Sequence, residues 1–200
     1  NLQSPQFDSP ITIDSSCTVK AFAVNEDGRQ SKVATARFFK MPHADWRITI
    51  RSKYNPQYTA GGDEGLIDGI RGEENWRKGE WQGYQSQDFE AVIDLGKEMP
   101  VSKFSAGFLQ DVRSWIFMPK RVDFELSVDG KTFVSPLSIS NTVPDNDYNV
   151  RIRDLSGTIQ PLPARYIRIK AINYGKLPSW HPGYFDGGEA FIFIDEITIE

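Results

Sequence analysis

Period-two alternation, interrupted every few residues by Gly, Pro or an Asp-Gly turn, is the feature that most restricts what this chain can become. It is clearest at 121–128. There Val122, Phe124, Leu126 and Val128 fall on one face and Arg121, Asp123, Glu125 and Ser127 on the other, with Asp129-Gly130 supplying the turn. The pattern recurs at 89–96, 101–109, 148–153 and 165–172, and in the last two the rows of Arg and Lys read as solvated strand faces. The last run, 190–199, is apolar on both faces except for Asp195 and Glu196, which predicts a buried strand holding two carboxylates that need partners. No ten-residue stretch carries apolar residues at helical spacing with caps at its ends. The chain therefore reads as all-β, a sandwich or jelly roll over about residues 43–200.

Two hundred residues, 39% hydrophobic and 25% charged, suffice for one large domain plus part of another. Residues 1–42 hold only the runs 18–24 and 32–39, joined by Asn25-Glu26-Asp27-Gly28-Arg29. That is one β hairpin, too little to bury a core alone, and it is expected to come from a partial Ig- or fibronectin-like domain, with a linker at 40–45. A net charge of −4 without clustered Lys or Arg gives no attraction to nucleic acid, and no apolar run approaches the roughly 20 residues a bilayer-spanning helix needs. The single Cys17 makes no internal disulfide. A start at Asn1 without a signal-peptide pattern leads to the expectation of a piece cut from a longer protein.

Catalysis is not expected. The neighbouring pairs Glu73-Glu74 and Asp195-Glu196 do not make the converging carboxylates of glycoside hydrolysis, and two His and one Cys show no zinc spacing. A hydrolase activity of the chain itself is the weakest reading.

The motifs LIDG, WQGY, VIDLG, FLQD followed by SWIFMP, SVDGKTF, RYIRIK and FIDEITIE, in that order, resemble the discoidin-like, coagulation-factor type C domain, which includes the family 32 carbohydrate-binding modules. The resemblance spans about residues 46–200. With GGDEGLIDGIRG and PSWHPG it is similar in particular to the C-terminal module of Bacteroides-type family 20 β-N-acetylhexosaminidases, and PITIDSSCTVKAFAVNEDGRQSKVATARFFK resembles the end of their chitobiase-type β-sandwich domain. The resemblance implies a non-catalytic accessory module binding glycans that end in galactose, N-acetylgalactosamine or N-acetylglucosamine, beside a parent catalytic domain, in a secreted, periplasmic or cell-surface setting. The alternative is a structural module that docks on the catalytic domain or another protein.

The resemblance also implies a structural Ca2+ at Asp68 and Glu196, hard oxygen donors suited to that ion. The alternative has Glu196 pairing with a basic residue and Asp68 capping a turn. Residues 72–80 (GEENWRKGE) depart from the family pattern as an insertion, which leaves Trp76 open. Sugar binding by such modules uses loops at one end of the sandwich, where rings stack on pyranoses and polar groups meet hydroxyls. Two loops have that make-up, 110–115 and 178–186, with Arg113, Trp115, Trp180, His181 and Tyr184 as candidates. Trp115 serves equally well as a plug closing the sandwich, and His181, in a Pro- and Gly-rich loop, is expected to face ligand rather than core. Trp46 and Trp81 adjoin strand patterns and are expected in the core.

Overall fold

The structure is a computed structural model and describes residues 4–38, 40 and 43–200. The chain divides into two compact units, Asn1–Met41 and Pro42–Glu200. In the first, β1 (Cys17–Ala21) and β2 (Ala34–Phe38) pair antiparallel. The Gly28 N–H donates to the Asn25 carbonyl at 3.0 Å, and the Asn25 side chain accepts from the Arg29 N–H at 2.8 Å, which closes the turn. The expected hairpin is present with shorter strands. Phe39, Met41 and Pro42, on which the predicted strand end and part of the linker fall, lie outside the described residues.

The second unit contains β3 (Arg47–Ile50), β4 (Gln82–Gln85), β5 (Phe89–Gln110), β6 (Arg121–Ser127), β7 (Val134–Ser140), β8 (Arg151–Ala171) and β9 (Phe191–Ile199). Their order is β4-β9-β5-β8-β6-β7, with β3 also paired to β5, and every pairing is antiparallel. The register between β5 and β8 slips between Asp94 and Met99 and again between Val101 and Lys103. Before the slip β5 pairs with β3 and the end of β8; after it β5 pairs with β9 and the start of β8. Strands of 22 and 21 residues are far longer than an ordinary strand, and the irregularity lets each serve two layers.

Both halves feed one core. Phe89, Ala91, Ile93 and Leu95 enter it from the first half of β5, and Phe104, Ala106 and Phe108 from the second. The Phe104 ring lies 5.3 Å from that of Phe124 on β6, a contact across the sandwich. This is the jelly-roll architecture expected from the alternation. Strand ends differ: β6 stops at Ser127, leaving Val128 exposed, and β8 begins at Arg151, leaving Tyr148 in a loop. The outward basic row meets acids, with Arg165 bridging Asp94 at 2.9 and 3.0 Å and Arg168 pairing with Glu125. Among the described residues no helix is long and apolar enough to cross a membrane.

Trp46 and Trp81 are buried, as expected. The 72–80 insertion belongs to the fold as well. Its Trp76 is buried beside Trp81, Leu109, Ile116 and Phe193, donates from Nε1 to Asp111 Oδ2 at 3.1 Å, and carries the Arg77 guanidinium 3.8 Å above its ring. An indole so enclosed is a packing element, which settles the question the sequence left open. Trp76→Ala is expected to lower unfolding free energy by roughly 3–5 kcal/mol, read from urea denaturation, with Trp76→Phe recovering part of the loss.

Candidate functional site

Three segments meet at one end of the sandwich because β5 ends there and β8 and β9 begin there. Gln110 at the end of β5 pairs with Arg151, and Ile116 bridges to Phe191. The first segment, 111–116, contains a 3-10 turn at Val112–Ser114; the second is the 141–150 loop; the third runs from 174 to 190 and contains a 3-10 turn at Pro182–Tyr184. Under them lies a small separate core of Val112, Phe117, Leu177 and Ala190, with Trp115 and Tyr174 packed on it. The 141–150 loop is tied down by Gln110 Nε2, which donates to the Pro144 carbonyl at 2.9 Å, and by Tyr174, whose hydroxyl donates to Asp145 at 2.5 Å. Burial and then Asp145 push the Tyr174 phenol up to about 12, so it remains a donor.

Two of the five candidates converge at the surface. Trp180 is 40% exposed, and its ring stands 5.9 Å from that of Tyr148, itself 39% exposed. The Arg113 guanidinium sits 5.4 Å from the centre of the Tyr148 ring and donates to the Tyr148 carbonyl at 2.9 Å. Two rings and a planar cation therefore share one solvent-open surface, a combination suited to stacking on an apolar sugar face and donating to hydroxyls. Tyr148 was missed because its alternation with Val150 and Ile152 reads as strand. Tyr184 is also exposed, its ring 5.4 Å from that of Phe185.

The other two candidates hold the loops together. His181 is only 3% exposed; its Nδ1 accepts from the Gly183 N–H at 3.0 Å, so Nε2 carries the proton and donates to the Val112 carbonyl at 2.8 Å. With both nitrogens occupied by backbone it offers a ligand nothing, which corrects the expectation that it faces ligand. Trp115 takes the plug role. A Cβ at Gly183 would stand 2.7 Å from its indole, and one at Gly188 3.0 Å, so the third segment closes over the ring only because both positions are glycine. Trp115 itself has φ 65°, a left-handed conformation rare outside glycine; the Phe191 N–H donating to its carbonyl at 2.8 Å helps to hold it there.

Elsewhere in the unit, β9 carries its two carboxylates to the 68–72 loop. Asp195 accepts from Arg71 Nε and the Gly72 N–H, both at 2.9 Å, and Arg71 also pairs with Asp154. Gly107 lies beneath this cluster, where a Cβ would collide with the Asp195 carboxylate. Glu196, buried, accepts from the Gly69 N–H at 3.0 Å, while Asp68 accepts from the Ile70 N–H at 2.8 Å in the turn-capping role also foreseen. Among the described residues Glu196 has no ion-pair partner. Burial, helped by the nearby Asp68 charge, pushes its carboxyl up to about 8. Asp68 and Glu196 are hard oxygen donors beside one loop, the kind a divalent cation takes, and among the described residues no group of three or more His, Cys, Asp or Glu side chains is placed to hold a metal ion.

Residues 48–184 match the F5/8 type C domain. The chain belongs to that family. Residues 1–38 match the Fn3-associated family, in keeping with a fibronectin-like origin for the first unit. No curated protein matches the chain. Among solved structures, a fucose-binding module of Streptococcus pneumoniae is similar at 16% identity and TM-score 0.51, covering 76% of this chain and 89% of that one, and shows the shared fold. A Clostridium perfringens CBM32 in complex with GalNAc-β-1,3-galactose is similar at 16% identity and TM-score 0.49, covering 80% and 97% of the two chains. A putative chitobiase fragment from Bacteroides thetaiotaomicron is similar at 18% identity and TM-score 0.49, covering 79% and 89%. In this F5/8 type C domain, His181→Ala leaves the Gly183 N–H without a partner inside a small core, at a cost of about 1–3 kcal/mol, while the Val112 carbonyl keeps the Trp115 N–H. Hydrogen exchange should show faster exchange at Gly183 and its neighbours, with strand amides of β5 and β8 unchanged.

Proposed function

We propose that residues 43–200 form a non-catalytic carbohydrate-binding module whose site is the surface of Arg113, Tyr148 and Trp180. The observation that carries this reading is the convergence of two half-exposed rings and a guanidinium over a core built from Trp115, Phe117 and His181. A preorganised aromatic surface loses little entropy on binding, and a weak module still raises the local concentration of a tethered enzyme. Galactose, N-acetylgalactosamine and N-acetylglucosamine termini are the ligands to examine first. The resemblance of GGDEGLIDGIRG, WQGY and PSWHPG to the C-terminal modules of family 20 enzymes supports a β-N-acetylhexosaminidase as the parent chain and an extracytoplasmic setting. On a glycan array and by calorimetry, saturable binding to one of these termini is expected, and Trp180→Ala should weaken it about tenfold or more. No saturable binding across the array would overturn the proposal.

A second reading concerns the first unit alone. Phe7, Ile11, Ile13 and Phe38 are exposed there and line one cleft, an apolar surface suited to docking on a parent domain.

Asp68 and Glu196 are proposed to hold a Ca2+ that pins the 68–72 loop to β9. A cation between them would offset the charge that burial disfavours on Glu196. Millimolar Ca2+ is expected to raise the melting temperature by several degrees, and Glu196→Gln to abolish that rise while leaving the metal-free protein at least as stable as the parent. A Ca2+-dependent shift that persists in Glu196→Gln would exclude this site.

A further inference from the structure

We infer that Tyr184 and Phe185 form a second stacking platform, taking the sugar next in line to the one held at Arg113, Tyr148 and Trp180; the inference rests on the glycan reading above. Phe185 is 86% exposed, a benzyl side chain left almost wholly in water, and Tyr184 beside it stands edge-on with the rings at 83°. An exposed apolar ring costs nothing unusual on a loose loop, but this segment is closely tied. The Tyr184 N–H donates to the His181 carbonyl at 2.9 Å, the Gly187 N–H to the Tyr184 carbonyl at 3.1 Å, the Gly188 N–H to the Gly183 carbonyl at 3.0 Å and the Leu177 N–H to the Gly188 carbonyl at 3.0 Å. Those bonds hold the backbone on both sides of the two rings, while His181 and Trp115 anchor it from below. The Phe185 ring, almost wholly exposed, takes little part in that anchoring.

The position of the pair selects the occupant. Trp180 and Phe185 are five residues apart on one loop, a span of at most about 18 Å that the intervening 3-10 turn shortens. That upper limit lies within the reach of one short oligosaccharide. Asp186, exposed beside the pair, adds an acceptor for hydroxyl groups, as such sites require. The same carboxylate, in a chain of net charge −4, disfavours insertion of the tip into an anionic lipid surface. A glycan of two or more residues accounts for the aromatic pair, the acid and the continuity with Trp180 together.

The test is calorimetry on the 200-residue chain and on its Phe185→Ala, Tyr184→Ala and Trp180→Ala variants. The probes are galactose against GalNAc-β-1,3-galactose, and N-acetylglucosamine against its β-1,4-linked trimer. The chain is expected to bind the longer member of at least one pair more tightly. Phe185→Ala should lose about fivefold or more on that longer ligand while keeping its affinity for the monosaccharide, and Trp180→Ala should weaken both. Thermal unfolding of Phe185→Ala should match the parent, because the ring is not packed. Unchanged affinity of Phe185→Ala for the longer ligand, or an equal loss on both ligands, overturns the second platform and leaves the Trp180 site standing. Failure of the unaltered chain to bind any of the four probes overturns the platform together with the site it extends.

Discussion

The β5–β8 ladder is the constraint on which the rest of the second unit depends. A twisted antiparallel pair of more than twenty residues cannot stay in one layer without opening the core to water, and the slip near Asp94 to Lys103 resolves that conflict. Because the same two strands belong to both layers, the layers are covalently continuous, and the inward rows on either side of the slip fill a single core. The ends of this ladder also decide where the loops fall. Segment 111–116 leaves β5 where β8 and β9 enter, so residues far apart in sequence, such as Arg113, Tyr148 and Trp180, share one surface.

A second constraint is electrostatic. β9 lies between β4 and β5, so its two carboxylates are placed where water is scarce. One is neutralised by Arg71 and a backbone N–H, in a space that only a glycine at 107 leaves free. The other receives one backbone N–H and a repelling neighbour in Asp68. Removing a partner from such an arrangement is costly because a buried charge is left behind. The 68–72 loop is therefore bound to β9 by polar chemistry where the sheet core relies on apolar contact.

Much of the fold was legible because period-two patterns report directly on which face meets the core. Phe124, Ile167 and Ile169 lie where the alternation put them, and the unusual two-sided run at 190–199 became the interior strand it implied. The errors follow from what alternation cannot encode. Tyr148 and Val128 continue a pattern past the point where pairing stops, and a strand ends where its partner ends, which is a property of the whole sheet. The loops were legible in composition only. Trp180 and Arg113 met at the surface, whereas His181 turned inward because a neighbouring amide and the Val112 carbonyl use both of its nitrogens, contacts no local pattern reveals. Trp76, left open by the sequence, was decided by Asp111 and Phe193, which lie distant in sequence.

Trp115 fits beneath Gly183 and Gly188, and His181 ties the same loop from within, so the geometry of the 178–188 segment is set by groups that never reach its outer surface. The Phe185 and Asp186 side chains, both exposed, are thereby uncoupled from the folding of the loop that displays them. Such an arrangement can diversify at its tip without renegotiating its foundations. It amounts to a fixed mount whose outermost side chains can change without unsettling what holds it.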